Sequence, residues 1–215
     1  MTDQRSIMYN AKPLVIQYDI YISGEIGLAE NYTEVFEVIR SATPNDVVRV
    51  HINSHGGDML TALQFRRVLG ECQGQVITSV EGECMSAATI IFLTADMQEV
   101  SPHSSVMFHH YSTIMGGKGG DLAKRIHHDM GWSRDIYEDV YEFLLSAEEI
   151  EDLIKGVDFY FTSEEILPRL EIRAEKLKAK LEAQDADDQD TMVEELLAKI
   201  EETKPKKKRT RGTKE

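Results

Sequence analysis

Short apolar runs alternate with helical patterns through the first half of this chain, and this alternation restricts its fold more than any other feature. The apolar runs have the length of buried strands, and in the first helical pattern Tyr32, Phe36 and Ile39 recur at spacings of four and three. Alternating β and α elements predict an α/β domain with a largely parallel sheet and right-handed crossovers. The predicted strands are 19–22, 47–52 and 75–80, and the helices that follow them are 29–40, 59–69 and 85–95.

A glycine-rich stretch and a long helix follow these units. The stretch 115–121 lacks the Gly-Lys-Ser/Thr ending of a phosphate-binding loop, so we interpret it as a connector rather than a nucleotide site. A helix is predicted over 122–145. On such a helix the adjacent His127 and His128 point about 100° apart, which argues against a shared metal ion. The sequence therefore predicts no metal site.

Composition sets outer limits on the function. The 215 residues suffice for one globular domain with a sizeable core and an appendage. No apolar run approaches the ~20 residues that cross a bilayer, and the first ten residues lack the apolar segment of a secretory signal. The two cysteines, Cys72 and Cys84, do not make a disulfide scaffold. We therefore expect a cytoplasmic protein that does not engage a membrane.

Ser86 is the first candidate for chemistry. It lies in the segment 82–88, where the predicted strand 75–80 gives way to a helix of small residues. A serine at such a turn is held out of the sheet, and the N–H groups of the next helical turn point toward the same cleft. A free hydroxyl is a weak nucleophile, so this interpretation requires a base, an orienting carboxylate and an oxyanion hole.

Candidates for the base and the carboxylate lie further along the chain. His109 ends an apolar run 23 positions after Ser86, and an unperturbed imidazole titrates near neutral pH. Asp158 stands among apolar and aromatic residues, so we expect it to be partly buried, where an imidazole N–H would satisfy its charge. Taken singly, a serine among alanines and a histidine at the end of a strand more often have structural roles.

The candidate oxyanion hole is the segment 51–58, in which a predicted strand runs into the pair Gly56 and Gly57. Glycines let backbone N–H groups approach a ligand because no Cβ stands in the way. Alone, a Gly-Gly pair after a strand indicates only a turn.

Together these segments resemble the proteolytic subunit of the Clp protease (ClpP), a family of serine peptidases with the ClpP/crotonase fold. Residues 52–57, Ile-Asn-Ser-His-Gly-Gly, look like the family's Ile-Asn-Ser-Pro-Gly-Gly. Residues 82–86, Gly-Glu-Cys-Met-Ser, look like its nucleophile segment, and residues 106–109, Val-Met-Phe-His, look like its Val-Met-Ile-His. Residues 158–165 look like its Asp-x-Phe-hydrophobic-(Ser/Thr)-Ala-x-Glu. The four motifs keep the family's order and near-family separations over roughly residues 19–167.

The resemblance implies a set of site residues and an assembly. It implies that Ser86 is the nucleophile, His109 the general base and Asp158 its orienting carboxylate. The backbone N–H groups of Gly57 and Ala87 would form the oxyanion hole, and the chemistry needs no metal or organic cofactor. The family encloses its sites in stacked rings joined by a long handle helix. A cyclic homo-oligomer, heptameric by resemblance, is therefore expected, with proteins or peptides as substrates.

Two departures from the family concern the turn before Gly56 and the expected partners. His55 replaces the proline before Gly56, which makes this turn less rigid and adds a titratable side chain. The N-terminal segment 1–18 has no obvious match to the family's gating loop, which argues against coupling to a hexameric AAA+ ATPase unfoldase. The sequence leaves open an ATP-dependent peptidase with such a partner and a specialised one, for instance a phage head-maturation protease of ClpP type.

The chain after the predicted peptidase domain, residues 19–170, differs from the family. Pro168 is predicted to interrupt the helix that begins near residue 162. A charged helical appendage is predicted over 171–202, with a break at the acidic stretch 185–190. The tail 203–215 is strongly basic although the whole chain has a formal charge of −14. Such a tail is either a solvated, disordered terminus or a contact for nucleic acid or an acidic protein surface.

Two other functions stay open on the sequence. A crotonase-type acyl-CoA enzyme shares this fold and its oxyanion hole, but it does not need a serine nucleophile. A non-enzymatic ring or scaffold component would keep the fold without the chemistry. The combination of Ser86, His109 and Asp158 favours a serine endopeptidase over both.

Overall fold

Six strands form one sheet in the computed structural model, which describes residues 15–203 and the side chains of residues 15–184. The strands are β1 (Gln17–Ile26), β2 (Val47–Gly57), β3 (Gln75–Met85), β4 (Met97–Val100), β5 (Ser105–Phe108) and β6 (Phe159–Thr162). Their order is β1-β2-β3-β5-β6, and β4 also pairs with β3. All of these pairs are parallel except β5 with β6, which is antiparallel.

Helices follow each of the first three strands, so the predicted α/β fold is confirmed. The described helices are a 3-10 turn (Ala29–Tyr32), α1 (Thr33–Ser41), α2 (Met59–Gly70), α3 (Ala87–Phe92), α4 (Gly119–Val140), α5 (Ala147–Ile154) and α6 (Ser163–Thr203). The predicted long helix is therefore α4, which begins three residues earlier and ends five residues earlier than 122–145. Across the described range, no helix combines the length and the apolar character that a bilayer crossing requires.

Buried apolar and partly exposed side chains alternate along β2, and this alternation places the core on one face of the sheet. Val48, Val50 and Ile52 are fully buried, whereas the intervening Arg49 and His51 are only partly so. Successive side chains of a strand point to opposite faces, so this period of two sends the apolar set inward. Burying each such side chain contributes roughly 1.5–3 kcal/mol.

The other face of the sheet carries a network of charged side chains. His51 bridges two neighbouring strands, because its Nδ1 lies 2.5 Å from Glu81 Oε1 and its Nε2 lies 3.1 Å from Asp19 Oδ1. Both ring nitrogens face carboxylate oxygens, so the arrangement suits the imidazolium, in which both nitrogens donate. Beside it, Arg49 donates to both carboxylate oxygens of Glu99, at 2.6 and 3.2 Å.

We expect this network to make stability depend on pH. Burial lowers the pKa of His51, but hydrogen bonds to Asp19 and Glu81 outweigh burial and raise it overall. A raised folded-state pKa contributes stability that is fully present below the unfolded value, about 6.5, and is lost as pH rises through the folded value. His51→Gln should therefore flatten the fall in urea unfolding midpoint as pH rises above about 6.5. The matched control is His127→Gln, at an exposed position of α4. Equal pH profiles for His51→Gln and the wild type would contradict the expectation.

The chain divides into two compact units, residues 1–172 and 173–215. The first holds the sheet, α1 to α5 and the start of α6. The predicted interruptions at Pro168 and at 185–190 are wrong, because α6 is one continuous helix. A run of acidic residues places no steric limit on helical backbone, and one proline costs a helix about 3 kcal/mol, through one lost hydrogen bond and a ring clash, which neighbouring packing can offset. The basic stretch 204–215 and residues 1–14 lie outside the described residues, and the predicted domain boundaries stay predictions.

Candidate active site

Ser86 joins β3 to α3 in a conformation that is rare for any residue but glycine. Its φ of 55° and ψ of −127° lie outside the common regions. Its N–H donates to the Met107 carbonyl of β5 at 2.9 Å, and its carbonyl accepts from the Thr89 N–H at 3.0 Å. Backbone strain of this kind costs about 1–3 kcal/mol and persists only where the surroundings hold it. The sharp strand-to-helix turn is the geometry that exposes a nucleophilic hydroxyl.

His109 lies one residue beyond β5, with its Nε2 2.7 Å from Ser86 Oγ. The parallel ladder between β3 and β5 sets this approach, because it ends by pairing Met85 with Met107. The residues that follow these two partners therefore emerge at the same edge of the sheet. The structure thus brings together two residues that the sequence singled out 23 positions apart.

Asp158 is not brought together with them. It is exposed at the residue before β6, and within the described residues no hydrogen bond joins it to His109. The expectation of partial burial was wrong, because the β5–β6 ladder ends at the pair of Phe108 and Phe159 and leaves the next residue open to solvent. If that antiparallel register continued by one step, His109 would lie opposite Asp158.

Gly56 lets the end of β2 approach the turn that carries Ser86. Its φ is +95°, and a Cβ on it would lie 2.6 Å from the Met85 carbonyl oxygen and 2.7 Å from Ser86 Cβ. The neighbouring Gly57 lines the same cavity as Ser86 and Ala87. Ala87 is the first residue of α3, so its N–H has no partner within the helix. Both predicted oxyanion donors therefore line the same cavity as Ser86.

A cavity of about 990 Å³ opens over these residues. It is lined by the end of β2, the start of α2, α3 with the preceding Ser86, His109, the loop after His110 and α4. Sequence reasoning missed most of this lining, although the loop directly follows the histidine motif. The large apolar lining residues include Met59, Leu60, Ile90, Ile114, Leu122 and Trp132. Polar and charged residues complete the lining, and such a mixed lining suits a substrate with apolar side chains and a polar backbone.

A second histidine lies beside the candidate base. His110 Nε2 is 3.2 Å from Ser133 Oγ, and burial, reinforced by the charge of His109, lowers the pKa of His110. A neutral imidazole at this position removes a competing charge from the site. Within the part of the chain that the structure describes, no three His, Cys, Asp or Glu residues are placed to hold a metal ion.

Comparison with known proteins finds a matching family, and the match covers most of the chain. A family model described as Clp protease matches residues 3–166. The match covers more than half of the 215 residues, and its range includes Ser86, His109 and Asp158. No curated protein matches the chain.

Proposed function

Because this chain belongs to the Clp protease family, whose members are peptidases, we propose that it is a serine endopeptidase of ClpP type. One observation carries the proposal: Ser86 Oγ lies 2.7 Å from His109 Nε2 at a strained strand-to-helix turn. Hydrogen-bond contact between a nucleophile and a general base is the geometry that acyl transfer requires. Both residues open into a cavity large enough for several side chains of a peptide.

The proposed reaction proceeds through an acyl-enzyme. Ser86 Oγ attacks the carbonyl carbon of the scissile peptide bond while its proton passes to His109 Nε2. His109 then delivers this proton to the amine nitrogen as the C–N bond breaks. Water repeats the sequence in the second half, and its attack regenerates Ser86 and releases the carboxylic acid.

The backbone N–H groups of Gly57 and Ala87 are the proposed oxyanion donors. Both residues line the cavity beside Ser86, and Ala87 N–H lacks a partner within α3. Negative charge develops on the carbonyl oxygen only in the tetrahedral state, so fixed donors stabilise that state over the substrate. By analogy with other acyl-transfer enzymes, each donor contributes about 3–4 kcal/mol to transition-state stabilisation.

Asp158 is proposed as the residue that orients His109. The register of β5 and β6 supports this role, since one further step beyond the pair of Phe108 and Phe159 would set His109 and Asp158 opposite each other. Catalytic hydrogen bonds are often long or misaligned without substrate and tighten in the working complex. The proposal therefore requires Asp158 to move toward His109 Nδ1 when substrate binds.

Asp158→Asn should leave a folded protein whose hydrolysis of a short peptide falls on the order of 10³- to 10⁴-fold, because the amide cannot fix the imidazole tautomer. The control is Asp135→Asn, at an exposed position of α4 that does not line the cavity. Turnover of Asp158→Asn within twofold of wild type would show that Ser86 and His109 act as a dyad.

Labelling with a fluorophosphonate probe tests the proposed function directly. The probe reacts with activated serines, so mass spectrometry of the labelled protein should find the adduct on Ser86. The alternatives of a crotonase-type acyl-CoA enzyme and of a non-enzymatic ring or scaffold component both predict an unlabelled Ser86. The short contact between Ser86 and His109 supports the peptidase over both.

Assembly and partners are proposed from the family. A cyclic homo-oligomer, heptameric by resemblance, would enclose Ser86 and shield other proteins from it. Sedimentation velocity on an active sample tests this, because a ring is far larger than the 24.4 kDa chain. A cytoplasmic location, an AAA+ unfoldase partner, a phage head-maturation role and a contact of the basic tail with nucleic acid or an acidic protein stay predictions.

A further inference from the structure

Two tyrosines one turn apart near the end of α4 contact both catalytic segments. The side chains of Tyr137 and Tyr141 are buried, with exposures of 3% and 1%. Their rings stack with centroids 5.6 Å apart and planes within 4° of parallel. Buried tyrosine hydroxyls need hydrogen-bond partners, so where each hydroxyl points is informative.

Tyr141 reaches the nucleophile turn through Thr89. Thr89 Oγ1 donates its only proton to the Ser86 carbonyl oxygen at 2.7 Å. Tyr141 Oη lies 2.9 Å from the same Thr89 oxygen. Because the threonine proton is already used, Tyr141 must be the donor of this second bond. A buried chain of two hydrogen bonds thus ends on the carbonyl of the strained residue.

Tyr137 and Tyr141 also contact the segment that carries the base. Tyr137 Oη accepts a hydrogen bond from the Tyr111 N–H at 2.9 Å, two residues after His109. The Tyr141 ring packs edge-on against Phe108, the residue before His109, with centroids 5.0 Å apart. His109 is therefore flanked on both sides by contacts to the same pair of rings.

We propose that Tyr137 and Tyr141 are positioning residues that set the distance between Ser86 Oγ and His109 Nε2. The inference rests on the proposed peptidase function and adds residues that the four sequence motifs do not contain. Ser86 and His109 lie on separate connections of the sheet, and α4 supplies one rigid reference for both. The strain at Ser86 also requires surroundings that hold it, and the Tyr141–Thr89 chain supplies them.

The electrostatics of the pair suit this role. Burial raises the pKa of Tyr137 to about 12 and raises the pKa of Tyr141 as well. Both hydroxyls therefore keep their protons at neutral pH, and Tyr141 stays a donor to Thr89. Neither tyrosine is proposed to exchange a proton with substrate.

The test measures the kinetics of fluorophosphonate labelling at Ser86, separating the maximal rate constant from the half-saturating probe concentration. Tyr141→Phe keeps the ring and removes the hydroxyl, so the maximal rate constant should fall about 10- to 100-fold while half-saturation is unchanged. Thr89→Val should reproduce this loss because it deletes the shared hydroxyl at constant shape. Thr89→Ser keeps that hydroxyl and should restore the rate to within about twofold of wild type.

Two further variants separate positioning from general destabilisation. Tyr160→Phe, at a tyrosine of β6 that is 61% exposed, removes a hydroxyl outside the network and should label like wild type. The double variant Tyr141→Phe with Thr89→Val should be no slower than either single variant, because one chain of hydrogen bonds is broken only once.

Several outcomes would overturn the inference. Labelling of Tyr141→Phe within twofold of wild type would do so, as would Thr89→Val and Thr89→Ser labelling equally fast. If Tyr141→Phe does not fold, the two Thr89 variants alone decide, since Thr89→Val keeps the shape of the side chain and Thr89→Ser removes only one methyl group. Failure of the wild-type protein to label at Ser86 would instead refute the proposed peptidase, which keeps the two ideas distinguishable.

Discussion

We expect Ser86→Ala to remove peptide hydrolysis and fluorophosphonate labelling together, with a loss of turnover on the order of 10⁶-fold. The reason is that the alanine methyl can neither attack a carbonyl carbon nor pass a proton to His109 Nε2, which lies 2.7 Å from Ser86 Oγ in the wild type. His109→Ala should cost nearly as much, because a nucleophile without its base is a neutral alcohol. The double variant should be no worse than either single one, since the two residues act as a unit.

The measurement pairs peptide turnover with intact-mass labelling on purified protein. Ser23→Ala is the matched control, because Ser23 is an exposed serine of β1 that does not line the cavity. Near-normal turnover in a pure Ser86→Ala sample would mean that another group performs the chemistry. A wild-type protein that hydrolyses peptides yet labels elsewhere would point to the same conclusion.

Gly56→Ala should have a large effect on both stability and activity. The added Cβ would lie 2.6 Å from the Met85 carbonyl oxygen and 2.7 Å from Ser86 Cβ, contacts too short for real carbons. The φ of +95° adds strain, since this region is rare for residues with a side chain. We expect destabilisation by about 2–4 kcal/mol and labelling slower by at least about 10²-fold.

Gly131→Ala provides the control for Gly56→Ala. Gly131 lies within α4, and a Cβ there would meet nothing within 4 Å. The same substitution should therefore stabilise the protein by about 0.5–1 kcal/mol, because alanine loses less backbone freedom in a helix. Urea unfolding reports stability, and labelling at Ser86 reports the site. Wild-type labelling by Gly56→Ala would show that the end of β2 does not shape the nucleophile turn.

The elements of the fold and the two candidate residues that the structure brings into contact could be predicted from the sequence, because local signals mark both. The period-two pattern of β2 and the small residues after Ser86 are properties of short segments, and they predicted a strand and a strand-to-helix turn. The Gly-Gly pair likewise marked a close backbone approach. Resemblance to one family then suggested roles for Ser86, His109 and Asp158. Periodicity alone could not have told such residues from ones that only pack in the core.

Other features depended on residues far apart in the chain, and only the tertiary structure revealed them. The exposure of Asp158 follows from the pair at which the β5–β6 ladder ends, and its flanking aromatic residues suggested the opposite. The bond of Tyr141 to Thr89 joins positions 52 residues apart, so no local pattern announces it. Sequence periodicity states which face of an element is apolar, whereas register and packing between elements determine which atoms meet. The contact of Ser86 with His109 belongs to this second class, because it exists only where the β3–β5 ladder ends.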